Sequence, residues 1–164
     1  MISVCLATYN GQRFIKRQIT SILSQIGEED EVVVSDDGST DDTLTILRDL
    51  NDSRIRIIDG AHRHSPTWNF EKAIEGARGE YIFLSDQDDV WMPEKVSVTM
   101  KYLQQYDCVV SDNVIVDAEG SVIADLEVAY KRDERLLRFL TVSLDKHAIA
   151  YNEKKRNAKK AVIA

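Results

Sequence analysis

The chain has 164 residues, of which 43% are hydrophobic, enough for one soluble domain with a buried core. Its formal net charge of −7 argues against a nucleic-acid-binding surface, because contacts with a phosphate backbone depend on clustered Lys and Arg. The chain begins with a strand-like segment instead of a secretory leader, and no apolar run approaches the ~20 residues of a bilayer span. We therefore expect a cytoplasmic protein that has no nucleic-acid partner and whose membrane contact, if it has one, is peripheral.

The two cysteines, Cys5 and Cys108, lie within apolar runs and are not spaced like metal ligands. Free cysteine behaves as a small hydrophobic residue. Both are therefore predicted to be reduced core residues, which fits a reducing cytosol.

The first 50 residues contain two strand-helix pairs. Residues 2–7 and 31–35 have the apolar, β-branched composition of buried strands. Each is followed by a polar turn and then by apolar residues at helical spacing: Phe14, Ile15, Ile19, Ile22, Leu23 and Ile26 in the first pair, Leu44, Ile46, Leu47 and Leu50 in the second. Ser39 or Thr40 is the expected N-cap of the second helix.

Two more pairs follow. Residues 54–59 alternate like a strand, and Pro66 suits the first turn of the next helix. Residues 81–85 form a fourth predicted strand, and Pro93 opens a fourth helix. Strands that alternate with helices predict an α/β fold with a mostly parallel sheet, helices on both faces and right-handed crossovers. Large aromatic residues at element boundaries usually pack helix against sheet, which is the expectation for Trp68 and Trp91.

Beyond residue 106 the pattern changes to consecutive strands. A hairpin turn is expected at 117–120 and a helix at 132–144, and strands are predicted at 108–110, 114–116 and 122–124. We therefore expect one domain over residues 1–145. Residues 146–164 form a basic tail that is predicted to be helical or disordered.

Polar clusters follow three of the predicted strands, and in open α/β sheets ligands bind outside the carboxyl ends of the strands. The clusters are Thr8-Tyr9-Asn10, Asp36-Asp37-Gly38-Ser39 and Asp86-Gln87-Asp88-Asp89. Each alone is an ordinary turn or helix cap. Because all three are expected at one edge of the sheet, together they favour a ligand site.

The carboxylates of Asp86, Asp88 and Asp89 repel one another unless a cation joins them. A hard divalent cation, Mg²⁺ or Mn²⁺, that carries a phosphate is the leading interpretation, with Asp88 as a ligand and Asp86 contributing directly or through water. The glycine-rich phosphate loops G-x-G-x-x-G and G-x-x-x-x-G-K-[ST] are absent from the sequence. Asp37 is placed to accept an N–H from a nucleobase, and Tyr9 offers a ring face.

Four stretches resemble family 2 glycosyltransferases, which are inverting enzymes with the GT-A fold, a Rossmann-like sandwich. In order they are Val4-Cys5-Leu6-Ala7-Thr8-Tyr9-Asn10-Gly11, Ser21-Ile22-Leu23-Ser24-Gln25, residues 33–41 (VVSDDGSTD) and residues 77–95 (ARGEYIFLSDQDDVWMPEK). The resemblance covers residues 2–125. The D-Q-D-D-V-W form is similar to the bacterial branch that assembles surface polysaccharides, often rhamnosyltransferases.

The resemblance implies a role for each matching residue. Asp37 would accept the N3–H of uracil or thymine, and Asp36 would support its loop. Asp88 would bind the metal that bridges the phosphates, with Asp86 on the metal or the ribose, while Asp89 would orient the donor sugar. The remaining residues of the nucleotide pocket would be Thr8, Tyr9 and Asn10. The implied partners are a UDP or dTDP sugar and a glycan or lipid-linked glycan acceptor.

The expected function is transfer of a hexose or deoxyhexose to a glycan in cell-surface polysaccharide biosynthesis. An inverting transferase needs a general base, and no downstream motif supplies one. Asp145 and His147 are the nearest candidates, but a surface helix end is the simpler interpretation, so the base is unassigned. Members of the family usually run well past this length, which favours a chain truncated at the C-terminus.

Several alternatives stay open. One is a catalytically silent nucleotide-sugar-binding domain, or a fragment that lacks the acceptor region. A metal-dependent nucleotidyltransferase is weaker, because it predicts a Gly- and Arg/Lys-rich loop where residues 8–13 supply one Gly and one Arg. His62, Arg63 and His64 are expected in an exposed loop, where Arg63 could meet a phosphate. A homo-oligomer is a further open alternative.

Overall fold

The computed structural model describes residues 1–60 and 62–111. The chain divides into two compact units, Met1–Val109 and Val110–Ala164, and nearly all described residues belong to the first. Several predictions lie outside the described residues: the strands at 114–116 and 122–124, the hairpin turn, the helix at 132–144, the boundary at residue 145, the basic tail, and Asp145 with His147.

Four strand-helix pairs succeed one another, as the sequence predicts. Helix α3 starts at Pro66, whose fixed φ suits a first helical turn. The elements are β1 (Ile2–Thr8), α1 (Ile15–Leu23), β2 (Glu31–Asp36), α2 (Thr43–Asp49), β3 (Ile55–Asp59), α3 (Pro66–Gly76), β4 (Tyr81–Asp86) and α4 (Lys95–Leu103). No helix in the described part of the chain is long and apolar enough to cross a membrane.

The four described strands form one parallel sheet in the order β3-β2-β1-β4. The predicted parallel α/β fold is therefore confirmed. The register pairs Thr8 with Asp36 and Ala7 with Asp86. The carboxyl ends of β2, β1 and β4 thus lie side by side at one edge of the sheet.

Helices cover both faces of this sheet. Because side chains alternate along a strand, Val4 and Leu6 point to one face and Cys5 points to the other. On the first face Val4 and Leu6 pack with α1, α2 and the segment around the start of α4, through Ile15, Ile19, Ile22, Leu47, Trp91 and Val96. On the second face Ala73 of α3 packs with Cys5 and Val33.

β1 and β4 differ in burial. Every residue of β1 is buried, whereas in β4 only Phe83 and Ser85 are. The apolar sequence of β4 is typical of a strand that is buried on both faces. Leu84, however, is 56% exposed. Among the described residues, β4 is covered on one face only.

The prediction for cysteine is confirmed at Cys5 and wrong at Cys108. Cys5 is fully buried, and burial, with a smaller contribution from the Glu31 carboxylate, raises the pKa of its thiol to about 11, which keeps it protonated and unreactive. Cys108 is exposed, and residues 108–110 form no strand. The apolar run that predicts this strand is only three residues long, too short for periodicity to be informative.

Two other local predictions are wrong. Trp91 is 5% exposed, as predicted, but Trp68 is 45% exposed and lies under the guanidinium of Arg63, 4.4 Å from the ring centroid. The Arg63 side chain thus rests on an aromatic ring. Neither Ser39 nor Thr40 caps α2: the backbone N–H of Thr43 instead donates to Asp41 Oδ1 at 3.0 Å.

Candidate active site

The three polar clusters meet at the carboxyl edge of the sheet. The backbone N–H of Asp37 donates to the carbonyl of Thr8 at 2.9 Å, so the β2 turn adjoins the end of β1. Gln87, within the third cluster, accepts a hydrogen bond from Thr8 Oγ1 at 2.7 Å. The convergence expected from the sequence is therefore present in the fold.

Asn10 joins the loop after β1 to the turn after β2. Its backbone has a φ of 49°, a left-handed conformation that Asn tolerates better than most residues. Its N–H donates to Ser39 Oγ at 2.8 Å, and its side-chain oxygen accepts the N–H of Thr40 at 2.8 Å. The Asn10 amide thus fixes the relative position of two loops of the site.

Asp36 builds the turn that follows β2. It is 5% exposed, and its carboxylate accepts hydrogen bonds from Gly38 N at 3.2 Å, Ser39 N at 2.8 Å and Ser39 Oγ at 2.5 Å. Gly38 has a φ of 87°, which glycine adopts without strain. These contacts suit the loop-supporting role that the resemblance implies for Asp36.

Asp37 holds the loop that follows β3. It is 3% exposed, and its carboxylate oxygens accept the backbone N–H groups of Arg63 at 3.1 Å and Ser65 at 3.3 Å. Each oxygen accepts one of these bonds, which leaves one lone pair on each for a further donor. The Asp37 carboxylate therefore keeps acceptor capacity for a nucleobase N–H, although little of its side chain contacts solvent.

Tyr9 is an exposed aromatic residue in the loop after β1. It is 42% exposed, and the ring of His64 approaches it edge-on, with centroids 4.9 Å apart and an interplanar angle of 67°. His64, for which the sequence predicts only an exposed loop, thus flanks Tyr9. The sequence feature that could have suggested a role for His64 is a pair of histidines in a loop that follows a strand of the parallel sheet.

His62 joins the end of β3 to the β2 turn. Its Nε2 lies 2.7 Å from Asp59 Oδ1, and its Nδ1 lies 2.9 Å from the point where a Cβ on Gly38 would stand. The Asp59 carboxylate, with smaller contributions from Asp37 and Asp36, raises the pKa of His62. The imidazole therefore holds a proton to higher pH than a free histidine does.

Asp86, Asp88 and Asp89 form an acidic turn at the end of β4, and all three are exposed. Although the Asp86 side chain reaches solvent, partial burial of its carboxyl group, together with the carboxylates of Asp89 and Asp88, raises its pKa. Partial burial of the carboxyl group and the Asp88 carboxylate likewise raise the pKa of Asp89, while Lys95 lowers it. Carboxylates that repel one another in this way are a suitable donor set for a cation.

The fit to a divalent metal ion rests on this donor set. Within the described residues, no three His, Cys, Asp or Glu side chains come together as a cation site. The protein would therefore supply one or two carboxylate ligands, and phosphate oxygens and water would supply the rest, which is the usual situation for Mg²⁺. Asp86 and Asp88 fit an ion that binds together with a diphosphate.

The raised pKa of Asp86, caused by burial and then by the neighbouring carboxylates, has a measurable consequence: Asp86→Asn should stabilise the metal-free protein at neutral pH. An unperturbed aspartate has a pKa of 3.8 and the pKa of Asp86 in the folded protein is higher, so the stability of the wild type falls as the pH rises through the folded pKa. We expect a gain at pH 7 of less than about 1 kcal/mol, because solvent screens this partly exposed group.

Urea unfolding at a series of pH values measures the effect, with Asp49→Asn at the exposed end of α2 as the control. The advantage of Asp86→Asn should shrink as the pH is lowered toward 3.8. An advantage that is the same at all pH values would contradict a raised pKa for Asp86.

Two further residues of the site have no assigned role in the sequence prediction. Gln87 reaches the loop after β1, where its amide bonds with Thr8 and Tyr9. Asn69 of α3 is 3% exposed, and its Nδ2 donates to the carbonyls of Thr8 at 3.2 Å and Ser35 at 2.9 Å. No local pattern predicts either partner, because the contacts span 34 to 79 residues of chain.

The parallel sheet of this order, with Tyr9, Asp37 and an acidic turn at its carboxyl edge, is the arrangement expected of the GT-A class of nucleotide-sugar transferases. The family model for glycosyl transferase family 2 matches residues 3–155. The chain belongs to this family, as the sequence motifs predict.

Relatives and solved structures agree with this assignment. The Escherichia coli enzyme WfaP, a UDP-Glc:alpha-D-GlcNAc-diphosphoundecaprenol beta-1,3-glucosyltransferase, is 33% identical over 104 residues, which are 63% of this chain and 41% of WfaP. TarS of S. aureus in complex with UDP has a TM-score of 0.55 and 25% identity over 65% of this chain and 32% of its own. Mannosyltransferase PcManGT from Pyrobaculum calidifontis, in complex with GDP-Man and Mn²⁺, has a TM-score of 0.58 and 26% identity over 62% of this chain and 32% of its own.

The chain therefore spans less than half the length of these relatives. The matches show the family and the fold of this part of it.

Proposed function

We propose that this chain binds a nucleoside-diphosphate sugar of the UDP or dTDP type with Mg²⁺ or Mn²⁺, as the donor half of a glycosyltransferase. The observation that carries the proposal is the convergence of the Tyr9 loop, the Asp37 turn and the Asp86–Asp89 turn at one sheet edge. The family assignment and the nucleotide complexes of two structural neighbours support it.

Each part of the donor has proposed contacts. The base lies against Tyr9 with its N–H on Asp37, while Thr8, Asn10 and Asp36 shape the nucleotide loops. Asp86 lies on the ribose side of the diphosphate. Asp88, with Asp86, holds the cation, and Asp89 orients the sugar.

The reaction proposed for the whole enzyme is displacement at the anomeric carbon with inversion. When bound, the divalent cation offsets the negative charge that develops on the departing nucleoside diphosphate. The described residues hold the base and the diphosphate so that the anomeric carbon faces the acceptor. We assign no general base, because no described residue has been assigned to the binding of an acceptor.

The acceptor we propose is a glycan or a lipid-linked glycan, and the transferred group a hexose or deoxyhexose for a bacterial surface polysaccharide. The support is the name of the E. coli relative, whose acceptor is a diphosphoundecaprenol-linked sugar. Such an acceptor lies in a membrane, so we place the protein in the cytoplasm with peripheral contact to the inner face of the plasma membrane.

A second candidate is donor binding without turnover. The consideration that favours it is that none of the described residues has been assigned as a general base. Donor hydrolysis in the absence of an acceptor separates the two candidates: steady release of UDP from a UDP-sugar excludes the silent domain.

Calorimetric titration with UDP, with and without MnCl₂, tests the donor site. We expect binding that is at least about tenfold tighter with Mn²⁺. GDP should bind more weakly than UDP if Asp37 accepts the N3–H of the pyrimidine. No UDP binding at millimolar concentration, with or without Mn²⁺, would overturn the proposed function.

A further inference from the structure

Gln87 lies between Asp86 and Asp88 in the sequence and connects the acidic turn to the loop after β1. Its Oε1 accepts hydrogen bonds from Thr8 Oγ1 at 2.7 Å and from the N–H of Tyr9 at 3.0 Å. Its Nε2 donates to the carbonyl of Tyr9 at 3.3 Å. The Gln87 side chain therefore forms hydrogen bonds with both the backbone N–H and the backbone carbonyl of Tyr9.

Gly11 makes room for this contact. A Cβ on Gly11 would stand 2.3 Å from Gln87 Oε1 and 3.0 Å from Thr8 Oγ1. Real Cβ atoms do not approach an oxygen so closely, so a side chain at position 11 would push the Gln87 amide aside. The tip of a glutamine can move at little cost, and such a change should therefore leave the fold intact.

The two turns that Gln87 joins are proposed to hold different parts of one ligand. The Tyr9 loop faces the base, and the acidic turn faces the diphosphate and its cation. A ligand that contacts two sites at once binds tightly only when the distance between the sites matches the ligand. A residue that fixes that distance acts on the whole nucleotide more than on either part.

We infer that Gln87 is a positioning residue that fixes the acidic Asp86–Asp89 turn relative to the Tyr9 loop, so that the base and the metal-bound diphosphate of one donor are held together. This inference rests on the proposed function. Gln87 is not proposed to touch the reacting atoms. It acts through Thr8 and Tyr9 on one side and through Asp86 and Asp88 on the other.

The test compares Gln87→Met, which keeps the length of the side chain and removes its hydrogen bonds, with the wild type. With MnCl₂ present, we expect UDP to bind about tenfold more weakly. A change of this size corresponds to the net free energy of about one hydrogen bond. Uridine, which lacks the phosphates, should bind within about twofold of the wild type in ligand-observed NMR, because each half-site stays intact. Gln104→Met, at an exposed position after α4, is the matched control.

Gly11→Ala should break the same hydrogen bonds in a second way, since it displaces the Gln87 amide without changing the glutamine itself. It should reproduce the selective loss for UDP, and the double variant should be no worse than Gln87→Met alone. The Gly11→Ala variant also keeps the test decisive if Gln87→Met does not fold.

Two results would overturn the inference: unchanged UDP affinity in both variants, or equal losses for uridine and UDP, which would show a purely local role in the Tyr9 loop. Failure of the wild type to bind UDP would instead overturn the proposed function, so the two failures are distinguishable.

Discussion

Asp88→Ala is expected to abolish the metal-dependent part of UDP binding. Asp88 is the exposed carboxylate proposed as the main cation ligand, and the described residues offer no ready-made cluster that could replace it. Loss of an outer-shell partner already costs 10- to 100-fold in metal affinity, so loss of a direct ligand should cost about 100-fold or more. Calorimetry with UDP at several MnCl₂ concentrations measures this.

The control for Asp88→Ala is Asp49→Ala, which removes an exposed carboxylate at the end of α2 away from the carboxyl edge. It has the same change in net charge and should bind UDP as the wild type does. UDP affinity without Mn²⁺ should be nearly equal in all three proteins. Full retention of Mn²⁺-dependent binding in Asp88→Ala would remove this residue from the metal site.

Asn69→Ala is expected to lower the free energy of unfolding by about 2–4 kcal/mol. The buried Asn69 amide donates to the carbonyls of Thr8 and Ser35, and its oxygen accepts from Ser35 Oγ at 2.5 Å. Its removal leaves buried polar groups without a partner, and each costs about 1–3 kcal/mol. The loss falls where β1 and β2 pass into the loops of the site, so UDP binding should weaken as well.

Urea denaturation measures the change, and Thr67→Ala is the matched control because Thr67 is exposed on the same helix. Surface substitutions of this kind usually stay within about 0.5 kcal/mol of the wild type. An Asn69→Ala protein as stable as the Thr67→Ala protein would show that water satisfies the carbonyls in place of the amide.

The predictions that are confirmed rest on local pattern. Apolar residues at helical spacing predict α1, and continuous apolar runs predict β1 and β4. Both patterns can be recognised within a short stretch of sequence. The carboxyl ends of these strands then follow from the rule for parallel sheets. For this reason the convergence of Thr8, Asp37 and the acidic turn could be predicted without a structure.

The predictions that are wrong concern packing between distant segments. Trp68 and Trp91 both look like core aromatics in the sequence, yet only Trp91 meets Phe83, at 5.6 Å between ring centroids. Cys108 likewise lies in an apolar run but is exposed. Burial depends on which elements cover a residue, and that is not encoded in the residue's own neighbourhood.

The sequence by itself determined the order of strands and helices, the edge of the sheet that carries the polar loops, and the family motifs. The tertiary structure alone decided which polar groups meet across that edge. Gln87 bonds to Thr8 across 79 residues, and Asn69 bonds to Thr8 across 61. A glutamine or asparagine can bond to almost any polar neighbour, so only the folded chain selects its partner.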